Sequence, residues 1–255
     1  MSDVITVLQL TDLHLFADET GRFNGVNTRA CFLEVLAHVR QHYNQPDVVV
    51  LTGDLAHDGH PDTYLLIAEL LSVLNAPVYF VLGNHDHREH AYAVYPYGVI
   101  QTQQDVALGA WHIILLDSNH NARANCYEGQ VSRLELDRLA TLASGQPNKH
   151  ILIAMHHNLP CHTDRGVAYE VRNHQEVITR FEQWPHIRVV ISGHVHQEFT
   201  IVHNGICYFS TPATGYQSRS KSGQVTGEMP GYRWLKLYTN GRIETDIRRI
   251  NTFIS

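Results

Sequence analysis

The stretch Val48-Val49-Val50-Leu51-Thr52-Gly53-Asp54 decides how the rest of the chain is read. Its apolar, β-branched start predicts a strand buried on both faces of a sheet, and the run stops at a glycine followed by a carboxylate. Further runs of the same character span 4–10, 78–82, 113–116, 151–155 and 187–191. Helical spacing fills the gaps between them. Phe32, Val35, Leu36 and Val39 fall at i, i+3, i+4 and i+7, which marks one helix face. Pro61 opens a second helix with Tyr64, Ile67, Ala68 and Leu71 on one side. Ser132 and Glu135 form a capping-box pair, Val131 and Leu136 a hydrophobic staple, and Gly145 a stop. A fourth helix starts near Asn173, with Glu176 as its box partner and Val177, Phe181 and Trp184 facing inward. Asn204-Gly205 and Asn240-Gly241 predict tight hairpins within 198–210 and 232–250. Alternating strands and helices that finish as antiparallel strands predict one α/β domain over 1–255 with two packed sheets.

Composition narrows the function. The 19 Lys and Arg against 25 Asp and Glu give a net charge of −6, without the basic surplus that a nucleic-acid binder needs. Hydrophobic residues at 44% and charged residues at 17% fit an ordered globule. Histidine is the unusual number: 19 residues, as many as Lys and Arg together. Cys31, Cys126, Cys161 and Cys207 contain no C-x-x-C pair, so they read as reduced core thiols. Met1-Ser2-Asp3-Val4 lacks the basic and apolar regions of a secretory signal, and no apolar run approaches the ~18 residues of a membrane span. A cytoplasmic protein with no membrane or nucleic-acid partner is expected. The glycine- and serine-rich segment 212–231 is a candidate lid loop.

In open α/β sheets ligands bind beyond the carboxyl ends of the strands, so the residues after each run carry the information. Leu10 leads to Asp12 and His14, Thr52 to Asp54, and Leu82 to Asn84, His85 and Asp86. Met155 leads to His156 and His157, and Ile191 to His194 and His196. Five separate runs thus end in metal-competent side chains. Carboxylates, an amide and imidazoles without thiolate suit Mn, Fe, Zn or Co better than Ca or Mg. Asp12, His14, Asp54, Asn84, His156, His194 and His196 exceed the needs of one ion and suffice for two if one carboxylate bridges. Gly53, Gly83 and Gly193 each precede a candidate ligand, where close backbone approach is useful.

Asp12-x-His14, Gly53-Asp54, Gly83-Asn84-His85-Asp86, His156 and Gly193-His194-x-His196, in this order, resemble the calcineurin-like metallophosphoesterase family. Asp86 and the chain length are similar to its class III cyclic-nucleotide phosphodiesterases. So are Thr11 to Phe16, Gly25 to Thr28, Leu116-Asp117-Ser118, His194 to Glu198, Thr211-Pro212 and Pro230 to Arg233. Asn158 departs from the Pro or His usual in relatives. The resemblance implies two stacked mixed sheets flanked by helices in four layers. It places one ion on Asp12, His14 and His196, a second on Asn84, His156 and His194, and Asp54 between them. Iron and manganese are the implied ions, with zinc or cobalt as substitutes. His14, Asn84, His85 and His196 would face a small phosphodiester, and Asp54 and Asn84 join His85 as the implied catalytic residues. A hydroxide bridging two ions would attack phosphorus while His85 protonates the leaving oxygen. Two divalent ions outweigh Asp12 and Asp54, so the site attracts an anion although the chain is acidic overall.

The implied activity is hydrolysis of 3′,5′-cyclic AMP. A glycerophosphodiester or a nucleotide-sugar pyrophosphate remains open as substrate, as do a phosphoprotein phosphatase, which usually carries Glu at position 86, and a non-catalytic scaffold. Outside the motifs, His57, His60, His87, His90, His162 and His174 read as solvated or capping. His157 faces either the pocket or away from it. Asp117 and Asp58 read as structural hydrogen-bonding groups, and Arg219 and Lys221 as a solvated face.

Overall fold

The structure is a computed structural model that describes residues 4–43, 45–119, 127–159, 171–217 and 229–251. Cys126, Cys161, His162, Arg219, Lys221 and the middle of the proposed lid lie outside the described residues. In chain order the first half runs β1 (Val4–Leu10), α1 (Thr28–His42), β2 (Val48–Thr52), α2 (Pro61–Leu71), β3 (Val78–Val81), α3 (Arg88–Val94), β4 (Ile100–Gln101), β5 (Asp105–Leu108) and β6 (Trp111–Leu115). The second half runs α4 (Arg133–Gly145), β7 (His150–Ala154), α5 (His174–Glu182), β8 (Ile187–Ser192), β9 (Phe199–His203), β10 (Ile206–Ser210), β11 (Gly231–Tyr238) and β12 (Ile243–Arg249).

These strands make two six-stranded mixed sheets, ordered β12-β11-β1-β2-β3-β4 and β5-β6-β7-β8-β10-β9. In the first sheet the parallel run β1 to β4 carries antiparallel β11 and β12 on its β1 side, and in the second the parallel run β6-β7-β8-β10 is flanked on both sides by an antiparallel strand. Three apolar layers result. Ile5, Val7, Val50, Leu152, Val189 and Leu235 meet between the sheets. Phe32, Val35, Tyr64 and Ile67 cover the outer face of the first sheet, and Leu136, Leu139, Val177 and Phe181 that of the second. Each central strand therefore buries both faces, which is why the runs are continuous rather than alternating.

Local signals act with two adjustments. Ser132 accepts from the Glu135 amide as the N-cap of α4, but the Glu135 carboxylate turns outward to the Asp117 amide and Arg138, so the box is only half closed. Asn173 occupies the N-cap position of α5 without capping it; its side-chain amide instead accepts from the Val131 amide and donates to the Val131 carbonyl. Both corrections have one cause: a tertiary partner outcompetes the local one. Asn204 and Gly205 adopt positive φ of 48° and 81° between β9 and β10, the hairpin geometry expected of this pair. Among the described residues no helix is long and apolar enough to cross a membrane.

Leu152 is fully buried between the sheets, whereas Leu134 on α4 is 80% exposed. Leu152→Ala is expected to lower the unfolding free energy by about 2–5 kcal/mol in urea denaturation, and Leu134→Ala by less than ~0.5 kcal/mol.

Candidate metal centre

Strands β1, β2, β3, β7 and β8 deliver their candidate ligands two to four residues past their ends. Beyond β1 and β2 the two chain segments stay paired: the Asp12 amide donates to the Gly53 carbonyl at 3.0 Å and the His14 amide to the Asp54 carbonyl at 2.9 Å. This brings Asp12, His14 and Asp54 side by side. The second sheet answers from across the seam. The His194 amide donates to both oxygens of the Asp12 carboxylate at 3.1 and 3.0 Å, and the Gln9 side-chain amide donates to the Ser192 carbonyl and the Thr52 hydroxyl.

All seven candidate ligands converge. Asp54 sends Oδ2 to within 3.5 Å of His14 Nε2 and Oδ1 to within 3.5 Å of His156 Nε2. On the first side His14 Nε2 faces His196 Nε2 at 3.2 Å, and His196 Nε2 lies 3.2 Å from Asp12 Oδ1. On the other, His156 Nε2 lies 3.2 Å from Asn84 Oδ1 and 3.1 Å from His194 Nδ1. Donors sharing an ion at about 2.0–2.2 Å stand roughly 3–3.5 Å apart, so the residues fit two ions with Asp54 between them. The ligands are buried except Asn84, which is partly exposed.

The backbone is bent to achieve this. Asp12, His14, Asp54, His194 and His196 hold φ between 46° and 71°, a left-handed region that Asp, Asn and His tolerate better than most residues. Such conformations cost about 1–3 kcal/mol each and persist where the surroundings enforce them. Close approach also explains the glycines. A Cβ on Gly53 would strike the His156 ring, one on Gly83 the Asp54 carboxylate, and one on Gly193 Thr11 and Asp12.

Charge follows position. Burial opposes the ionised form of both carboxylates, but His196 beside Asp12 and His156 beside Asp54 outweigh it and hold both below the usual range. Burial pushes His14 well down and His194 to about 3, so both imidazoles are neutral and able to coordinate. Burial also opposes charge on His156, yet the Asp54 carboxylate and the hydrogen bond to it prevail and raise it to about 9.

His85 sits at the mouth, partly exposed, with its ring 4.8 Å edge-on from that of His14 and its amide donating to Asp54 Oδ1 at 2.9 Å. Asp86 is held from Leu55, Ala56, Gly83 and Tyr64. Asp117 is structural as expected, pairing with Arg88 and accepting from the Asn119 amide. Asp58 accepts from Ala17, His60 and Thr63. His60 and His87 cap α2 and α3, and His90 and His174 hold backbone carbonyls. His157 lies buried against the Ser118 hydroxyl at 2.9 Å. Asn158, also buried, donates to the Ser192 hydroxyl.

His57 overturns its expected solvated role. Its Nδ1 lies 3.2 Å from His14 Nδ1 and its ring stacks on His85 at 4.8 Å. Phe23 escaped the sequence reading altogether; its ring packs 4.5 Å from His14, 4.4 Å from His57 and 4.8 Å from Tyr216. Proximity of His57 to Asp54 in the chain was the one signal for the former, and none marked the latter.

The profile of the calcineurin-like phosphoesterases matches residues 5–198. The 3′,5′-cyclic adenosine monophosphate phosphodiesterases CpdA of Haemophilus influenzae and Escherichia coli K12 are each 32% identical, over 97% and 96% of this chain and 90% of their own length. A 3′,5′-cyclic-nucleotide phosphodiesterase of Nostoc is 33% identical over 96% of this chain and 92% of its own. In fold, a dimetal phosphatase from Danio rerio superimposes with a TM-score of 0.65 at 16% identity, covering 97% of this chain and 99% of that one. Purple acid phosphatase from yellow lupin reaches 0.72 at 13% identity, covering 98% and 52%.

The His156 proton generates a test. In the protein without an ion it stabilises the fold fully below about pH 6.5 and is lost as the pH rises through about 9. An ion seated on His156 must displace it. Titration calorimetry at about pH 8 in buffers of different ionisation enthalpy should show roughly one proton released per ion at this position, with affinity rising with pH. Loading without proton release would contradict the arrangement.

Proposed function

The chain belongs to the calcineurin-like phosphoesterase family, and from that premise we propose that it hydrolyses 3′,5′-cyclic AMP to AMP at a two-metal centre. The observation that carries this reading is the Asp54 carboxylate, whose two oxygens face two different histidine groups. The relatives that match almost the whole chain are named cyclic-AMP phosphodiesterases, which selects the diester. Asp12, His14 and His196 would hold the first ion, Asn84, His156 and His194 the second, and Asp54 would serve both. A donor set without thiolate suits Mn, Fe, Zn or Co; the family resemblance implies iron at the first position and manganese at the second. The free thiol of Cys207 accords with the cytoplasmic location we propose.

When bound, the ions neutralise phosphoryl charge and lower the pKa of water at the site. The protein does the rest. Asp54, fixed by the His85 amide, sets the separation of the two positions. His14, Asn84, His85 and His196 form the face offered to the diester. His85 is outside the ligand set and partly exposed, which lets its imidazole give a proton to the oxygen that leaves phosphorus as water adds.

Two experiments test the assignment. Metal-loaded protein should convert cyclic AMP to AMP faster than it cleaves a glycerophosphodiester, a nucleotide-sugar pyrophosphate or a phosphorylated peptide, followed by chromatography. Turnover of that panel without AMP formation would refute the substrate. Asp54→Ala should abolish both bound ions and activity, whereas His85→Ala should keep both ions by elemental analysis and lose about 10²–10⁴-fold in kcat.

A further inference from the structure

The first metal position has a partner that the motif does not include. His14 can serve an ion through Nε2 only if the lone pair is on that nitrogen, which places the ring proton on Nδ1. A metal-binding histidine normally gives this second proton to a carboxylate or a backbone carbonyl. Here the group facing His14 Nδ1, at 3.2 Å, is Nδ1 of His57. Two imidazole nitrogens at that distance form a hydrogen bond only if one donates and the other accepts. Aromatic neighbours fix the orientation of His57. Its ring stacks on His85 at 4.8 Å with an interplanar angle of 23°, and packs 4.8 Å from Phe16 and 4.4 Å from Phe23. Its amide donates to the Leu15 carbonyl at 2.8 Å, which ties the loop after β2 to the loop that carries His14.

We propose that His57 is a positioning residue whose Nδ1 accepts the Nδ1 proton of His14, selecting the tautomer that turns the His14 Nε2 lone pair into the metal site. The proposal deepens the two-metal reading and rests on it. It makes an imidazole do what a carboxylate usually does, and adds no negative charge to a site that already buries Asp12 and Asp54.

The test separates hydrogen bonding from packing. His57→Phe keeps a ring among Phe16, Phe23 and His85 but removes the acceptor; His57→Asn loses the ring and keeps an oxygen near the place of Nδ1. In metal-free wild-type protein, nitrogen-15 imidazole NMR is expected to show His14 protonated on Nδ1, a state lost in His57→Phe and kept in His57→Asn. Zinc titration is expected to show one site weakened about 10–100-fold in His57→Phe and near wild-type affinity in His57→Asn. A His14 proton on Nε2 in the wild type, or an Nδ1 proton that survives His57→Phe, would overturn the proposal. Equal zinc weakening in both variants would do so as well, because it would mark simple packing. The tautomer is read without metal or substrate, so a failure of the phosphodiesterase assignment, shown by wild-type protein that binds no ions, is a separate result.

Discussion

Two carboxylates buried side by side at the seam between the sheets set the terms for the rest of the molecule. Asp12 and Asp54 follow adjacent parallel strands of the first sheet, whereas three of the imidazoles that balance them, on His156, His194 and His196, follow strands of the second. Neither sheet can complete the site alone. Buried charge without a partner is strongly unfavourable, so the same pairing that prepares the centre for cations also joins the strand ends of the two layers. The apolar layer between the sheets brings them together without direction; these polar contacts specify how they are aligned.

Alignment has a local cost. Five of the seven proposed ligands lie in left-handed backbone, at positions where the loops are over-determined by their neighbours. The Asp12, His14 and Leu15 amides pair with carbonyls of the β2 loop, the Thr214 amide with the Thr11 carbonyl, and the Gly193 amide with the His156 carbonyl. Side chains fixed by such a frame need little rearrangement to receive ions, which is the use of a rigid second layer around a reacting centre.

Much of this was legible in the sequence. Continuous apolar runs reported doubly buried strands because both sheets have helices outside and each other inside. Metal-competent residues at the ends of five runs reported the site because parallel strands all point their carboxyl ends the same way. What escaped is tertiary in origin. α3 is seven residues long, too short for a periodic face. Glu135 and Asn173 carry cap signals but answer to Asp117 and Val131 from other elements. His57 and Phe23 gain their meaning only when the loops after β1 and β2 fold against each other.

Asp86 shows how a motif residue can govern chemistry without taking part in it. Its carboxylate accepts from the amides of Leu55 and Ala56 after β2, from the Gly83 amide after β3, and from the Tyr64 hydroxyl on α2. Burial first, and the nearby charge of Asp54 second, push it up to about 6, so the surrounding donors are what hold it ionised at neutral pH. The loops it clamps carry Asp54 and Asn84. A glutamate would extend the same head group by one methylene, moving one loop relative to the other or losing donors. The aspartate therefore acts as a spacer between the loop that carries Asp54 and the loop that carries Asn84.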